Sequence, residues 1–119
     1  MEDEAELIER AKSGDQSAFE SLVKLHQARV LARVRIRLPE DLRSEAEDMA
    51  QETFVKAWER LGSFERRHEG GFLAWLTTIA LRLCLDRIRE RKRDDVGKET
   101  LEWQVMQKGL QAALVWGNR

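Results

Sequence analysis

The residues able to do chemistry here are charged side chains on helix faces, crowded into the stretch from Ser44 to Arg93. Glu45, Asp48, Gln51, Glu52, Val55 and Glu59 recur at helical spacing and point largely outward. Phe64, Arg66, Arg67 and His68 share a loop between Gly62 and Gly71. Thr78, Arg82, Asp86, Arg89 and Arg93 fall on one stripe of a second predicted helix, and Lys92 belongs to the same basic run. Residues 82–93 hold six bases against two acids. Upstream, Arg29, Arg33 and Arg37 recur every four residues along one strip. Such a strip is either a solvated face or a surface for an acidic or phosphate-bearing partner.

These patterns suit recognition by charge, not bond making. His26 and His68 have no spacing that pairs them with each other or with a cysteine, so no zinc pattern exists and no metal or cofactor is expected. No Gly-rich phosphate loop follows a strand, and no serine sits in a nucleophile elbow. The acids of the Ser44–Leu61 segment are explained as an exposed helix face without a pocket, so no enzyme is expected.

The elements that must position these groups are helical. With 119 residues and 42% hydrophobic content, the chain can build one core. A single proline, Pro39, leaves long helices free almost everywhere. The net charge of -1 gives no gross attraction for nucleic acid, yet residues 1–20 carry seven acids and two bases, so the charge is strongly segregated. Cys84 is the sole cysteine, within a Leu-rich run, and reads as a core residue in a reducing compartment. The acidic start argues against a secretory signal, and no apolar stretch spans a bilayer; a cytoplasmic location is expected.

Glu2–Ser13 reads as a short helix with Leu7, Ile8 and Ala11 as its stripe, stopped by Gly14. Asp15 stands at an N-cap position. The helix it opens runs to about Leu38, with Ala18, Phe19, Leu22, Val23, Leu25, Val30, Leu31, Val34 and Leu38 as its apolar set. Ser44 with Glu47 makes a capping box for a third helix ending at Leu61, with Gly62 as its C-terminal cap. Ala46, Ala50, Phe54, Ala57, Trp58 and Leu61 face inward there. A fourth helix starts at Phe72 and buries Phe72, Trp75, Leu76, Ile79, Ala80 and Leu83. Leu81, Leu85 and Ile88 give it a second apolar side. Asp94–Lys98 reads as a linker, and Thr100–Trp116 as a fifth helix weakened at Gly109. The expected fold is therefore an all-α bundle of about four helices over residues 1–93, with a C-terminal helical tail over 94–119.

Asp48-Met-Ala-Gln-Glu-Thr-Phe54 with Ala57-Trp58, then Phe72-Leu-Ala-Trp-Leu76 with Ile79-Ala80, resembles region 2 of the bacterial extracytoplasmic-function (ECF) sigma factors. Gly14, Asp15, Ala18 and Phe19 are similar to that family's opening. The resemblance covers roughly residues 4–93, with several linked motifs in order. It implies a sigma domain that binds core RNA polymerase and recognises and helps melt the promoter minus-ten element. Asp48, Gln51, Glu52, Val55 and Glu59 would dock on the clamp helices of the polymerase β′ subunit. Phe64, Arg66, Arg67, His68, Thr78, Arg82, Arg89, Lys92 and Arg93 would meet the single-stranded non-template strand. Their types suit those tasks: arginines neutralise phosphates, and a loop with Phe64 and His68 offers a surface to an unstacked base.

The sequence departs from the family in two places. Arg82 stands where an Asn is common, which changes base-specific detail there. Gly109-Leu-Gln-Ala-Ala-Leu114 resembles the opening of the first region 4 helix, but the family's continuation is replaced by Val115-Trp-Gly-Asn-Arg119. Trp103 and Trp116 suit a tail packed on the domain, a second copy or a partner. Two rival readings stay open. One is a sigma-like interaction module that binds polymerase, an anti-sigma factor or itself without opening DNA. The other is a helical RNA-binding protein. An anti-sigma factor is an expected partner in the first reading as well, and no membrane insertion is expected.

Overall fold

A computed structural model describes residues 3–117, with side chains described through Asp95 and at 105, 106, 108 and 109. All regular structure among the described residues is helical, as expected. The helices are α1 (Glu4–Lys12), α2 (Gln16–Arg37), α3 (Ala46–Arg60) and α4 (Gly71–Gly117). Contacts divide the chain into two units, Met1–Leu85 and Asp86–Arg119.

In the first unit, α1 buries Leu7, Ile8 and Ala11. Acids in its first turn and bases in its last complement the helix dipole. Its end is a Schellman closure. Gly14 takes φ +102°, its N–H bonds Ala11 O at 3.0 Å, and the Asp15 N–H bonds Arg10 O at 3.0 Å. Asp15 then caps α2: its Oδ1 accepts from the Ala18 N–H at 3.2 Å. The corner is further tied by Arg10, whose Nε and Nη2 donate to Asp15 Oδ2 at 2.9 and 2.6 Å.

Along α2, Ala18, Leu22, His26, Val30 and Val34 are buried at a four-residue step. His26 takes a core position that the apolar pattern could not assign to it. Its Nε2–H tautomer donates to Glu4 Oε1 at 2.8 Å, and its ring lies 5.4 Å from Phe72. Leu25, expected inside, is 58% exposed, because it falls off that four-step line. The helix stops at Leu38, held extended by the following Pro39.

The Ser44–Glu47 capping box does not form. A 3-10 helix over Glu40–Glu45 runs straight into α3, and the Ala46 N–H is already bonded to Arg43 O. Glu45 occupies the N-cap position, and its side chain does not cap the helix. Gly62 is likewise no left-handed cap: a 3-10 turn, Leu61–Ser63, ends α3, and among the described residues only Gly14 and Gly70 have positive φ. Helix α3 buries Ala46, Met49, Ala50, Thr53, Phe54 and Ala57, with Trp58 half-buried. The fully buried Thr53 hydroxyl donates to Met49 O at 2.8 Å.

Phe72, Leu73, Leu76, Ile79, Ala80 and Cys84 close the core from α4. Large side chains such as Phe72 and Leu76 each contribute about 1.5–3 kcal/mol by burial. Leu85 is 50% exposed, so the second apolar side expected for this helix is only partly covered. Cys84 is buried as expected; burial pushes its thiol pKa up, against the positive charge of Arg37.

The second unit is helical from Asp86 to Gly117. Asp94–Lys98, expected as a linker, lies inside α4, and the expected fifth helix belongs to α4 as well. No proline interrupts the segment, and a glycine such as Gly97 or Gly109 costs a helix only about 1 kcal/mol against Ala. The side chains of Trp103 and Trp116 lie outside the described residues.

Candidate functional site

Burying Met49, Thr53, Phe54 and Ala57 turns the opposite side of α3 to solvent. Asp48, Gln51, Glu52, Val55 and Glu59 are all exposed there. Among the described residues, no cation lies within 4 Å of Asp48, Glu52 or Glu59. The neighbouring Glu47 is different: it faces Arg35 of α2 at 3.8 Å, an exposed pair that contributes little. Beside the acids sits an apolar step. Phe19 and Trp58 stack at 5.0 Å, and with Phe54 and Val55 they line a shallow groove of about 310 Å3. The surface thus joins unpaired carboxylates to a half-buried aromatic pair and the exposed Val55, a combination suited to a basic amphipathic partner.

The loop between α3 and α4 is anchored by its first aromatic residue. Phe64 is buried, edge-on to Phe72 at 5.4 Å and 5.0 Å from Trp75. Lys12 of α1 donates to Phe64 O at 2.8 Å, which ties the loop to the N-terminal corner. The Phe64 ring is therefore taken up by the core, and in this geometry it offers no exposed face to a base. Arg66, Arg67 and His68 are exposed. Arg67 meets only the equally exposed Glu65, at 3.6 Å. The His68 Nδ1–H donates to Glu69 O at 2.8 Å, which orients the ring beside Gly71. Gly70 makes the turn into α4 at φ +78°, and the Gly71 N–H returns to His68 O at 3.2 Å.

On α4, Thr78 and Arg82 are exposed one turn apart, the Thr78 hydroxyl donating back to Ala74 O at 3.1 Å. In the second unit Arg89, Lys92 and Arg93 are exposed, with Asp86 at 4.0 Å from Arg89. One interaction had no sequence signal: Arg33 of α2 donates to Thr77 Oγ1 of α4 at 2.5 Å, across 44 positions.

Among the described residues no group of three His, Cys, Asp or Glu could hold a metal, and no helix is long and apolar enough to cross a membrane. The depressed carboxyl in the first unit, Asp15 at about 2, is lowered chiefly by its hydrogen bond from Arg10 and then by Ser17 and Ala18. It serves the α1–α2 corner and not the exposed faces.

Comparison with known proteins adds to this geometry. The profile described as Sigma-70 region 2 matches residues 22–94. The RNA polymerase sigma-H factor of Pseudomonas aeruginosa is 36% identical over 107 residues, covering 87% of this chain and 53% of that protein. The ECF RNA polymerase sigma factor SigW of Bacillus subtilis is 37% identical over 87 residues, covering 73% of this chain and 44% of that protein. The chain spans about half the length, or less, of these relatives. An NMR structure of an engineered region 2 of sigmaE in complex with GTAAAA matches with a TM-score of 0.68 and 31% identity, over 78% of this chain and 93% of that one.

Proposed function

The chain belongs to the sigma-70 region 2 family, and on that premise we propose that it docks on core RNA polymerase and captures the minus-ten element of promoter DNA for transcription initiation. The observation that carries this reading is the likeness to a region 2 solved with the oligonucleotide GTAAAA, over nearly all of that domain. The exposed charges divide the work. Asp48, Gln51, Glu52, Val55 and Glu59 form the polymerase face, met by the β′ clamp helices, and an anti-sigma factor would compete for it. Complementary charge sets register and on-rate in such a contact.

Arg66, Arg67, Arg82, Arg89, Lys92 and Arg93 neutralise phosphates of the non-template strand, while Thr78 donates a hydrogen bond to it. His68 offers a ring to an extruded base. Extrusion costs a few kcal/mol and stacking on an aromatic ring returns about 1–3 kcal/mol, so ring and phosphate contacts must act together. Phe64 supports this loop from beneath. The domain does no bond chemistry; melting follows from holding the unstacked strand more tightly than the duplex.

The test is capture of purified bacterial core polymerase by the chain, followed by retention of a promoter fork with a single-stranded minus-ten segment. Capture with sequence-dependent retention is expected. Capture without retention would favour a sigma-like adaptor that binds polymerase but opens no DNA. Failure to capture would remove the polymerase face altogether.

A further inference from the structure

The proposed promoter contact uses the loop and α4, but α2 carries a second run of bases without an acid. From Ser21 to Arg37, α2 carries Lys24, Arg29, Arg33, Arg35 and Arg37 and no carboxylate. From Gly71 to Leu85, α4 carries Arg82 and no carboxylate. These two segments lie side by side in the same direction: His26 meets Phe72, Arg33 meets Thr77, and Arg37 borders a groove with Leu81. That open groove, about 310 Å3, is lined by Arg33, Ile36, Arg37, Thr77 and Leu81.

Arg29, Arg33 and Arg37 are all exposed. Arg33 is steered by its bond to Thr77, which leaves its other donors outward. Among the described residues, neither Arg29 nor Arg37 has an ion pair or hydrogen bond. Arg35 turns the other way, to Glu47. Successive members of the strip are about 6 Å apart along the helix axis, four residues at 1.5 Å each. That step is comparable to the separation of neighbouring phosphates along one strand. Arg37, in the last turn of α2, complements the helix dipole; Arg29 and Arg33 lie further back, and like charges a turn apart repel mildly.

Resting on the promoter-binding reading above, we propose that Arg29, Arg33 and Arg37 form a second phosphate-tracking strip, which carries the sugar–phosphate backbone of promoter DNA along α2 beside α4. The strip reads no sequence. It adds affinity and fixes the path of the strand over the domain.

The test is the salt dependence of fork retention by the full chain on core polymerase, for wild type and for Arg29→Gln/Arg33→Gln/Arg37→Gln. Each lost phosphate contact flattens the slope of log K against log salt by about 0.7 on a single strand or about 0.9 on duplex. The triple variant is expected to lose about 2–3 from the slope. Polymerase capture stays at the wild-type level. Two probes locate the strand: loss on a single-stranded non-template segment places that strand on α2, and loss on duplex places the upstream promoter there. Arg35→Gln keeps the wild-type slope, and the corresponding triple Lys variant restores it. Should the triple variant unfold, Arg29→Gln/Arg37→Gln serves instead, because neither side chain holds the fold. A wild-type slope in these variants on both probes overturns the strip alone. If wild-type chain captures polymerase and retains neither probe, the promoter-binding reading fails and the strip falls with it.

Discussion

Two carboxylates, Asp15 and Asp48, behave in opposite ways. Asp15, at the α1–α2 corner, accepts from Arg10, Ser17 and the Ala18 N–H. Asp48, on the outer side of α3, has no cation within reach among the described residues, and neither has Glu52. One charge is engaged inside the fold, and the other stands in solvent. The same division separates the aromatic rings from the bases of the loop. Phe64, Phe72 and Trp75 pack on one another, while Arg66, Arg67 and His68 stand in solvent. In a fold this small, closed polar networks mark structure, and the open charges are the ones we propose for partners.

The strongest test of that division is Phe64→Ala. A large aromatic lost from a core costs about 3–5 kcal/mol, so thermal or denaturant unfolding should fall by that amount. A stability loss below about 1 kcal/mol with a selective loss of fork retention would move Phe64 to the open side. The converse variant is Asp48→Lys with Glu52→Lys. Surface changes of this kind alter stability by about 0.5 kcal/mol or less. Two reversed charges against a basic partner cost several kcal/mol, so capture of core polymerase should drop by about 100-fold or more. A folded variant that binds as wild type removes α3 from the polymerase contact.

A smaller effect separates two adjacent glycines at the joint between core and loop. Gly70 needs its left-handed φ of +78°, so Gly70→Ala should cost about 1–2 kcal/mol. Gly71 is helical, and a Cβ there would meet His68 Cε1 at 3.5 Å, an ordinary contact. Gly71→Ala should therefore be neutral or slightly stabilising. Equal losses at both positions would mean that the joint is set by space and not by backbone conformation.

The legible parts of this fold are those where one residue type has one physical use. Gly14 and Asp15 were readable because a left-handed closure and a helix cap each favour a short list of residues. The inward face of α3 was readable from its period. His26 was not: apolar counting skips a histidine, and Glu4, its partner, lies 22 positions away. The capping box at Ser44 had the right letters, but a 3-10 helix arriving from Pro39 had already satisfied the Ala46 N–H. The expected linker at Asp94–Lys98 failed for a related reason, since an acidic run with one glycine lowers helix propensity without supplying a stop. For the candidate surfaces, exposure of the α3 acids and loop bases followed from helix faces. The inward turn of Phe64 and the Arg33–Thr77 link are tertiary facts, which no local pattern carries.

The smallest expected effect is a pH dependence that only the closed carboxylate should show. Asp15 is lowered from 3.8 to about 2 in the folded chain, with Arg10 the main cause. The folded state therefore holds the proton more weakly than the unfolded state. Its contribution to stability is fully present above about pH 4 and fades as pH falls toward about 2. Asp15→Asn keeps an N-cap acceptor but removes the negative charge that faces Arg10. The variant should melt slightly below wild type at neutral pH, and the two melting temperatures should converge on acidification through that window. Asp48→Asn, a surface change that loses no ion pair among the described residues, should alter stability at neutral pH by about 0.5 kcal/mol or less while weakening polymerase capture. If the Asp15→Asn gap instead stayed constant down to pH 2, the corner would be held by its cap and backbone bonds, and Asp15 would carry no stabilising charge for Asp48 to be contrasted with.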